Sequence, residues 1–254
     1  MPNRDAESDQ GQPLIEHIIE LRSRLIKALL SVFIIFLALF YFANNIYDFI
    51  ALPLQRLLPE GGKMAAIDVT ATLVTPLKLT LYVSVYIAVP YILYQIWAFV
   101  APALYLREKK IALPLLISSI VLFYIGTAFA YFLVFPMVFK FLTSVGPKSV
   151  VLWPDMSNYL DFVIKLFFAF GAAFEIPIAT ILLIYSGVIS PRSMASKRPY
   201  VIVICFVLGM LMTPPDVMSQ LLLALPMWLL FEAGLFFGRF LKARVDDPQT
   251  AEET

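Results

Sequence analysis

The stretch PYVIVICFVLGMLMTPPDVMSQLLLALPMWLLF (199–231) decides how often this chain crosses a membrane. Its only charged residue is Asp216, and its length would suit one tilted span. Thr213-Pro214-Pro215-Asp216 forbids that reading, because two consecutive prolines remove two backbone donors and crowd the preceding turn. The stretch therefore reads as a hairpin of two short spans, about 200–212 and 217–236. Thirteen helical residues reach only about 20 Å, whereas a bilayer core measures about 30 Å. The first arm thus implies local thinning of the bilayer or shielding by neighbouring helices. Asp216 reads as a turn acid and N-cap of the last span, and Gln220 adds a polar group one turn further on.

Four longer apolar runs precede the hairpin, at 25–43, about 77–100, 111–139 and about 159–185. Pro90 interrupts the second, the third holds no charge, and the fourth contains Asp161, Lys165 and Glu175. The fold class that follows is all-α: a polytopic membrane protein of six transmembrane helices, the last two short. The 254 residues form a single integral membrane domain, 1–254, in which 1–12 and 241–254 are expected to be flexible cytoplasmic tails. The long loop 44–76 is expected to hold a short helix ending near Pro53 and Pro59.

Orientation follows from Lys and Arg, which favour the cytoplasmic loops. Thirteen basic residues fall on the side of the N-terminus, the second and fourth loops and the C-terminal tail; four fall on the other. Both termini are therefore expected in the cytoplasm.

Composition points the same way. Apolar residues make up 61% and charged residues 15%, against about 45–50% and about 25% in soluble domains. Basic residues are scattered among apolar runs, which argues against nucleic acid as a partner. The acidic start of the chain (Asp5, Glu7, Asp9) does not resemble the n-region of a cleavable signal peptide. One cysteine, Cys205, reads as a packing residue, and one histidine, His17, leaves neither a metal cluster nor a Ser/His device. No cofactor, metal or catalytic residue is expected, and the chain does not read as an enzyme.

Three places carry unusual chemistry. Pro13 to Leu25 reads as an amphipathic helix with Pro13 at its first position. It is either an interfacial helix feeding the first span, with Glu20 and Arg24 as an exposed i,i+4 pair, or it presents an acidic spot that could receive a basic ligand. In the second cytoplasmic loop, Glu108 is the sole acid beside Arg107, Lys109 and Lys110. It is either their counter-ion or, with the acids of the first helix, a receiver of guanidinium groups, which two carboxylates bind by forked hydrogen bonds. Phe99, Leu104 and Tyr105 would then take an apolar segment beside the acids. Glu175 is the sharpest residue: an ionised acid deep in a span costs at least about 2.5–3.5 kcal/mol, so it needs water, a proton or a polar partner. Pro177 frees the Ala173 carbonyl beside it.

At these residues the chain resembles the TatC family, the receptor subunit of the twin-arginine protein translocase. The resemblance covers about 13–240 and is carried by Pro13-Leu14-Ile15 through Glu20-Leu21-Arg22, by Tyr94 to Tyr105, by Leu122 to Gly126, by Phe170 to Pro177, by Lys197 to Tyr200 and by Leu211 to Asp216. It implies that Glu20 and Glu108 recognise the paired arginines of a signal peptide, with Phe99 in the same site and Arg22 and Leu104 in its flanks. It implies that Glu175 faces single-span TatA- and TatB-type partners, and links Pro53 and Gln220 to function or assembly. Leu106-Arg107 departs from the lysine and polar residue common in relatives, leaving Glu108 untouched. The expected partners are twin-arginine signal peptides of folded cargo, the single-span subunits, other copies of the chain and the lipid bilayer. The expected place is the bacterial inner membrane, with export driven by the proton-motive force. The competing reading is a proton-coupled small-molecule transporter using Glu175; the absence of an evident inverted repeat argues against it.

Overall fold

The computed structural model describes residues 5–57, 66–100, 109–145, 155–212 and 217–245, and every regular element among them is helical. The helices are α1 (Asp5–Leu39), α2 (Ala43–Leu57), α3 (Ala71–Val100), α4 (Lys109–Phe129), α5 (Phe135–Val145), α6 (Met156–Ala173), α7 (Ile176–Tyr185), α8 (Pro191–Ser196), α9 (Arg198–Met212) and α10 (Val217–Val245). A 3-10 turn at Phe40–Phe42 joins α1 to α2, and a π-helical turn at Ala130–Val134 joins α4 to α5.

Five helical stretches are long and apolar enough to cross a membrane: Glu16–Ala51, Ala71–Val100, Leu113–Phe141, Met156–Tyr185 and Gln220–Phe240. The sixth, α9, is apolar but has 15 residues, about 22 Å at 1.5 Å each. The six-span reading holds, including the shortness of the fifth span. The Thr213–Asp216 turn, and with it Asp216, lies outside the described residues.

Several boundaries differ from the sequence expectation. The first helix begins at Asp5, so Pro13 lies inside it, and 5–12 is helical. The short helix expected in the loop is present as α2, which passes through Pro53 and ends at Leu57, two residues before Pro59; at Pro53 one missing donor interrupts a single ladder bond, and the flanking bonds carry the helix through. The last helix runs on to Val245, beyond the expected edge of the tail. The fourth span is two helices rather than one. α6 stops at Ala173 and α7 starts at Ile176, with Phe174 and Glu175 between them. Pro177 in the first turn of α7 cannot donate and blocks the preceding carbonyl, so a break falls just ahead of it.

The chain divides into two compact units, one of residues 1–52 and 76–116, the other of 53–75 and 117–254. In the first, Thr80 and Ser84 are buried in α3, and each hydroxyl donates to the carbonyl four residues back, Pro76 (2.8 Å) and Thr80 (2.7 Å). Such back-bonding satisfies a polar side chain where water is scarce. In the second, Ala130, Val134, Phe135 and Val138 of the third span bury against Tyr159, Val163, Leu166 and Phe170 of α6.

Close approaches in the second unit depend on glycine. A Cβ on Gly126 would stand 2.6 Å from the Phe170 carbonyl oxygen, and one on Gly234 would stand 2.6 Å from Pro177 Cα. Only hydrogen fits at either position, which is how small residues bring membrane helices into contact. These two crossings hold α4 against α6 and α10 against α7 on either side of Glu175. Cys205 is buried with Ala173, Ala224 and Met227, as a packing residue should be.

Candidate functional site

In the first unit, α1 and α3 bring together residues of the expected cytoplasmic site. Arg24 Nε and Nη2 both donate to Glu20 Oε1, at 2.9 and 2.6 Å, and Nη1 reaches Gln95 Oε1 at 3.3 Å. Glu20 and Arg24 keep about a third and a quarter of their side-chain surface, at 34% and 23%. Gln95 is buried. Glu16, Ile19, Glu20, Ser23, Arg24 and Lys27 line an open groove of about 390 Å³ along this face of α1. One turn earlier, the His17 ring stacks on Phe99, with centroids 4.2 Å apart and planes 18° from parallel.

Of the residues expected there, Glu20 and Phe99 lie on the packed face shared by α1 and α3. Arg22 is exposed and, two residues from Glu20, points away from it around the helix. Leu104 and Glu108 lie outside the described residues, as do the side chains around Pro53 in α2. Gln95 was not singled out from sequence, and His17 was weighed there only for metal binding or a Ser/His device. A lone amide inside the apolar run Tyr94-Gln95-Ile96 was a usable signal for the first, since a buried amide must find a partner.

In the second unit, Glu175 occupies the hinge between α6 and α7. It stands at the N-cap of α7 without making a side-chain cap bond. Its amide donates to the Ala172 carbonyl (3.1 Å), and its carbonyl accepts from Ala179 (2.9 Å). The carboxylate accepts a hydrogen bond from Ser119, a fully buried residue of α4. The other oxygen, Oε1, is buried with no hydrogen-bond partner among the described residues. A polar group left so at membrane depth carries a desolvation penalty, and a donor that reached it would relieve that penalty.

Gln220 faces inward, donating from Nε2 to the Phe206 carbonyl of α9 at 2.9 Å. It therefore ties the two arms of the short hairpin together, close to Gly209, where a Cβ would meet its side chain at 3.3 Å. At the other end of the same helices Arg198 grips Glu232 with two parallel contacts of 2.6 and 2.7 Å. Ala169, Ala173, Ile176, Cys205, Met227 and Phe231 help line an apolar cavity of about 430 Å³ among the fourth, fifth and sixth spans. No group of three or more metal-binding side chains occurs among the described residues.

Comparison with known proteins gives this arrangement a family. Residues 16–226 match the profile described as Sec-independent protein translocase protein (TatC). The chain is 53% identical over 246 residues to TatC of Azotobacter chroococcum mcd 1, covering 97% of this chain and 96% of that one. It is 55% identical over 232 residues to TatC of Escherichia coli strain K12, covering 91% and 90%. A crystal structure of the twin-arginine translocase receptor TatC superposes with a TM-score of 0.80 at 42% identity, over 88% of this chain and 98% of that one. The six helical spans with their short fifth member, and the likeness along nearly the whole length, agree: the chain belongs to the TatC family, a non-enzymatic, multi-pass component of the Sec-independent protein translocase.

Proposed function

We propose that this chain is the receptor that admits twin-arginine signal peptides to the translocase at the cytoplasmic face of the bacterial inner membrane. Glu20 and Glu108 take the paired guanidinium groups by charge-assisted hydrogen bonds. Phe99 packs against the apolar residues that follow, and Arg22 and Leu104 shape the flanks. Both termini face the cytoplasm, where a peptide on a folded cargo arrives. Single-span TatA- and TatB-type subunits then engage the membrane surface around Glu175, Gln220, Asp216 and Pro53, other copies of the chain complete the complex, and the proton-motive force drives export.

The observation that best supports this reading is at Glu20. Its carboxylate already holds a guanidinium, that of Arg24, through two short hydrogen bonds in the lining of an open groove. The same chemistry serves an arginine from outside. Titrating purified full-length protein with a fluorescent twin-arginine peptide tests it. Glu20→Gln and Glu108→Gln are each expected to weaken binding by about tenfold or more, the value of one charged hydrogen bond, and to block cargo export. Unchanged binding and export in both variants would remove the site.

A further inference from the structure

The contact that supports a guanidinium site at Glu20 also raises a question of competition, because a residue of the chain already fills it. Arg24 places two of its donors on the same oxygen, Oε1, and a third on Gln95. It is thus held between two helices rather than waving from one. Among the described residues Arg24 makes no hydrogen bond to Oε2 of Glu20. Beside it, His17 covers one face of Phe99. The acid and the aromatic of the proposed recognition site are both engaged by residues of α1 itself.

We propose that Arg24 is a specificity-determining residue: a resident guanidinium that sets the threshold an incoming basic peptide must exceed to reach Glu20. The inference rests on the reading of Glu20 as a receiver of signal-peptide arginine. A carboxylate next to a fixed positive charge attracts a second cation only weakly, since Arg24 both neutralises it and occupies one oxygen. A lysine brings one compact charge without a planar fork, and it cannot match the two-pronged hold of Arg24. A guanidinium can take Oε2 edge-on, or replace Arg24 donor for donor. Arg24 therefore penalises the wrong ligand more than the right one, and discrimination comes from that difference. Gln95 is its accomplice: the buried amide keeps Arg24 pointed at Glu20.

Full-length protein in lipid nanodiscs, titrated with matched peptides carrying Arg-Arg or Lys-Lys, tests the inference. Arg24→Gln is expected to bind the Arg-Arg peptide up to about fivefold more tightly, the value of a partly exposed ion pair. It should gain more for Lys-Lys, so that the ratio of the two affinities falls. Gln95→Ala keeps every charge and frees Arg24 from its second contact; it should move the ratio in the same direction by less, and it carries the test should Arg24→Gln not fold. Lys27→Gln removes an equal charge from the same groove without touching the Glu20–Arg24 pair, and should leave the ratio near that of the parent protein. Equal or weaker binding of both peptides by Arg24→Gln and Gln95→Ala would overturn the role of Arg24, as would Lys27→Gln changing the ratio as strongly. Glu20→Gln separates the two levels. If it abolishes binding while the Arg24 and Gln95 variants gain nothing, only the threshold falls. If it binds as the parent does, the recognition site beneath it falls instead.

Discussion

Glu175 gathers the polar chemistry of the second unit. One of its oxygens has Ser119 and the other has no partner among the described residues. Its own amide and carbonyl are paired across the helix break, to Ala172 and Ala179, so the unmet polarity there belongs to the carboxylate. Glu175→Ala is expected to reduce crosslinking to the single-span partners and to lower export, while twin-arginine peptide affinity stays within about twofold of the parent, well under the value of one lost charged bond. Loss of peptide affinity with intact partner crosslinks would contradict that division of labour. Ser119→Ala removes the one side-chain donor to the Glu175 carboxylate found among the described residues, and should cost about 0.6–1.7 kcal/mol, the range for polar contacts between membrane helices. Thermal unfolding in detergent reads that change, and Ser119→Thr, which keeps the hydroxyl, should recover most of it. The acid was legible in sequence because a charge inside an apolar run is anomalous by itself. Ser119 was not, because a serine in a span is ordinary until its distance to a partner is known. Gln95 lay between these cases: its polarity was visible, but the arginine it holds is 71 residues away.

At the scale of elements, prolines decide where helices stop, but only with their surroundings. Pro177 ends α6 and opens α7, whereas Pro53, Pro76, Pro90, Pro114 and Pro226 sit within helices that continue. The sequence reading noted Pro53, Pro90 and Pro177 and could not rank them. Packing ranks them: the start of α7 is pressed against α10 at Gly234, a contact that no local propensity contains. Gly234→Ala places a methyl group 2.6 Å from Pro177 Cα, and is expected to destabilise the protein by about 1–3 kcal/mol, as overpacking does. Unfolding in detergent, compared with Gly187→Ala as a site where no neighbour lies within 4 Å, checks it; Gly187 has a φ of +73°, so its own cost reports backbone strain without a clash. The π-helical turn at Ala130–Val134 was likewise invisible in sequence, since one extra residue in a turn leaves the apolar run unchanged. The short hairpin of α9 and α10 was legible, because its evidence is a pair of prolines and a length.

For the whole molecule, the count of six spans came from composition and hydropathy, and it survives in the helices observed. The orientation is a separate inference from the basic residues of the loops. It predicts that, once Cys205 is replaced by alanine, single cysteines introduced at Ser8 and Thr250 react with a membrane-impermeant maleimide only from the cytoplasmic side. Cysteines in place of Lys63 and Lys148 should react only from the outer side. Labelling of both pairs from one side would overturn the topology. The family was legible because its motifs lie in register along most of the chain, whereas the grip of Arg24 on Glu20 was one of two open readings until the side chains were placed.

The central claim, that Glu20 receives an arginine of the signal peptide, is tested most directly by a double-mutant cycle. Peptide affinity is measured for the parent chain and Glu20→Gln, each with the Arg-Arg peptide and with a peptide in which one arginine is replaced by glutamine. Direct contact predicts a coupling energy of about 1.5–3 kcal/mol for one of the two arginines, the range for a hydrogen bond to a charged group. Additive losses, with coupling near zero for both arginines, would contradict the account.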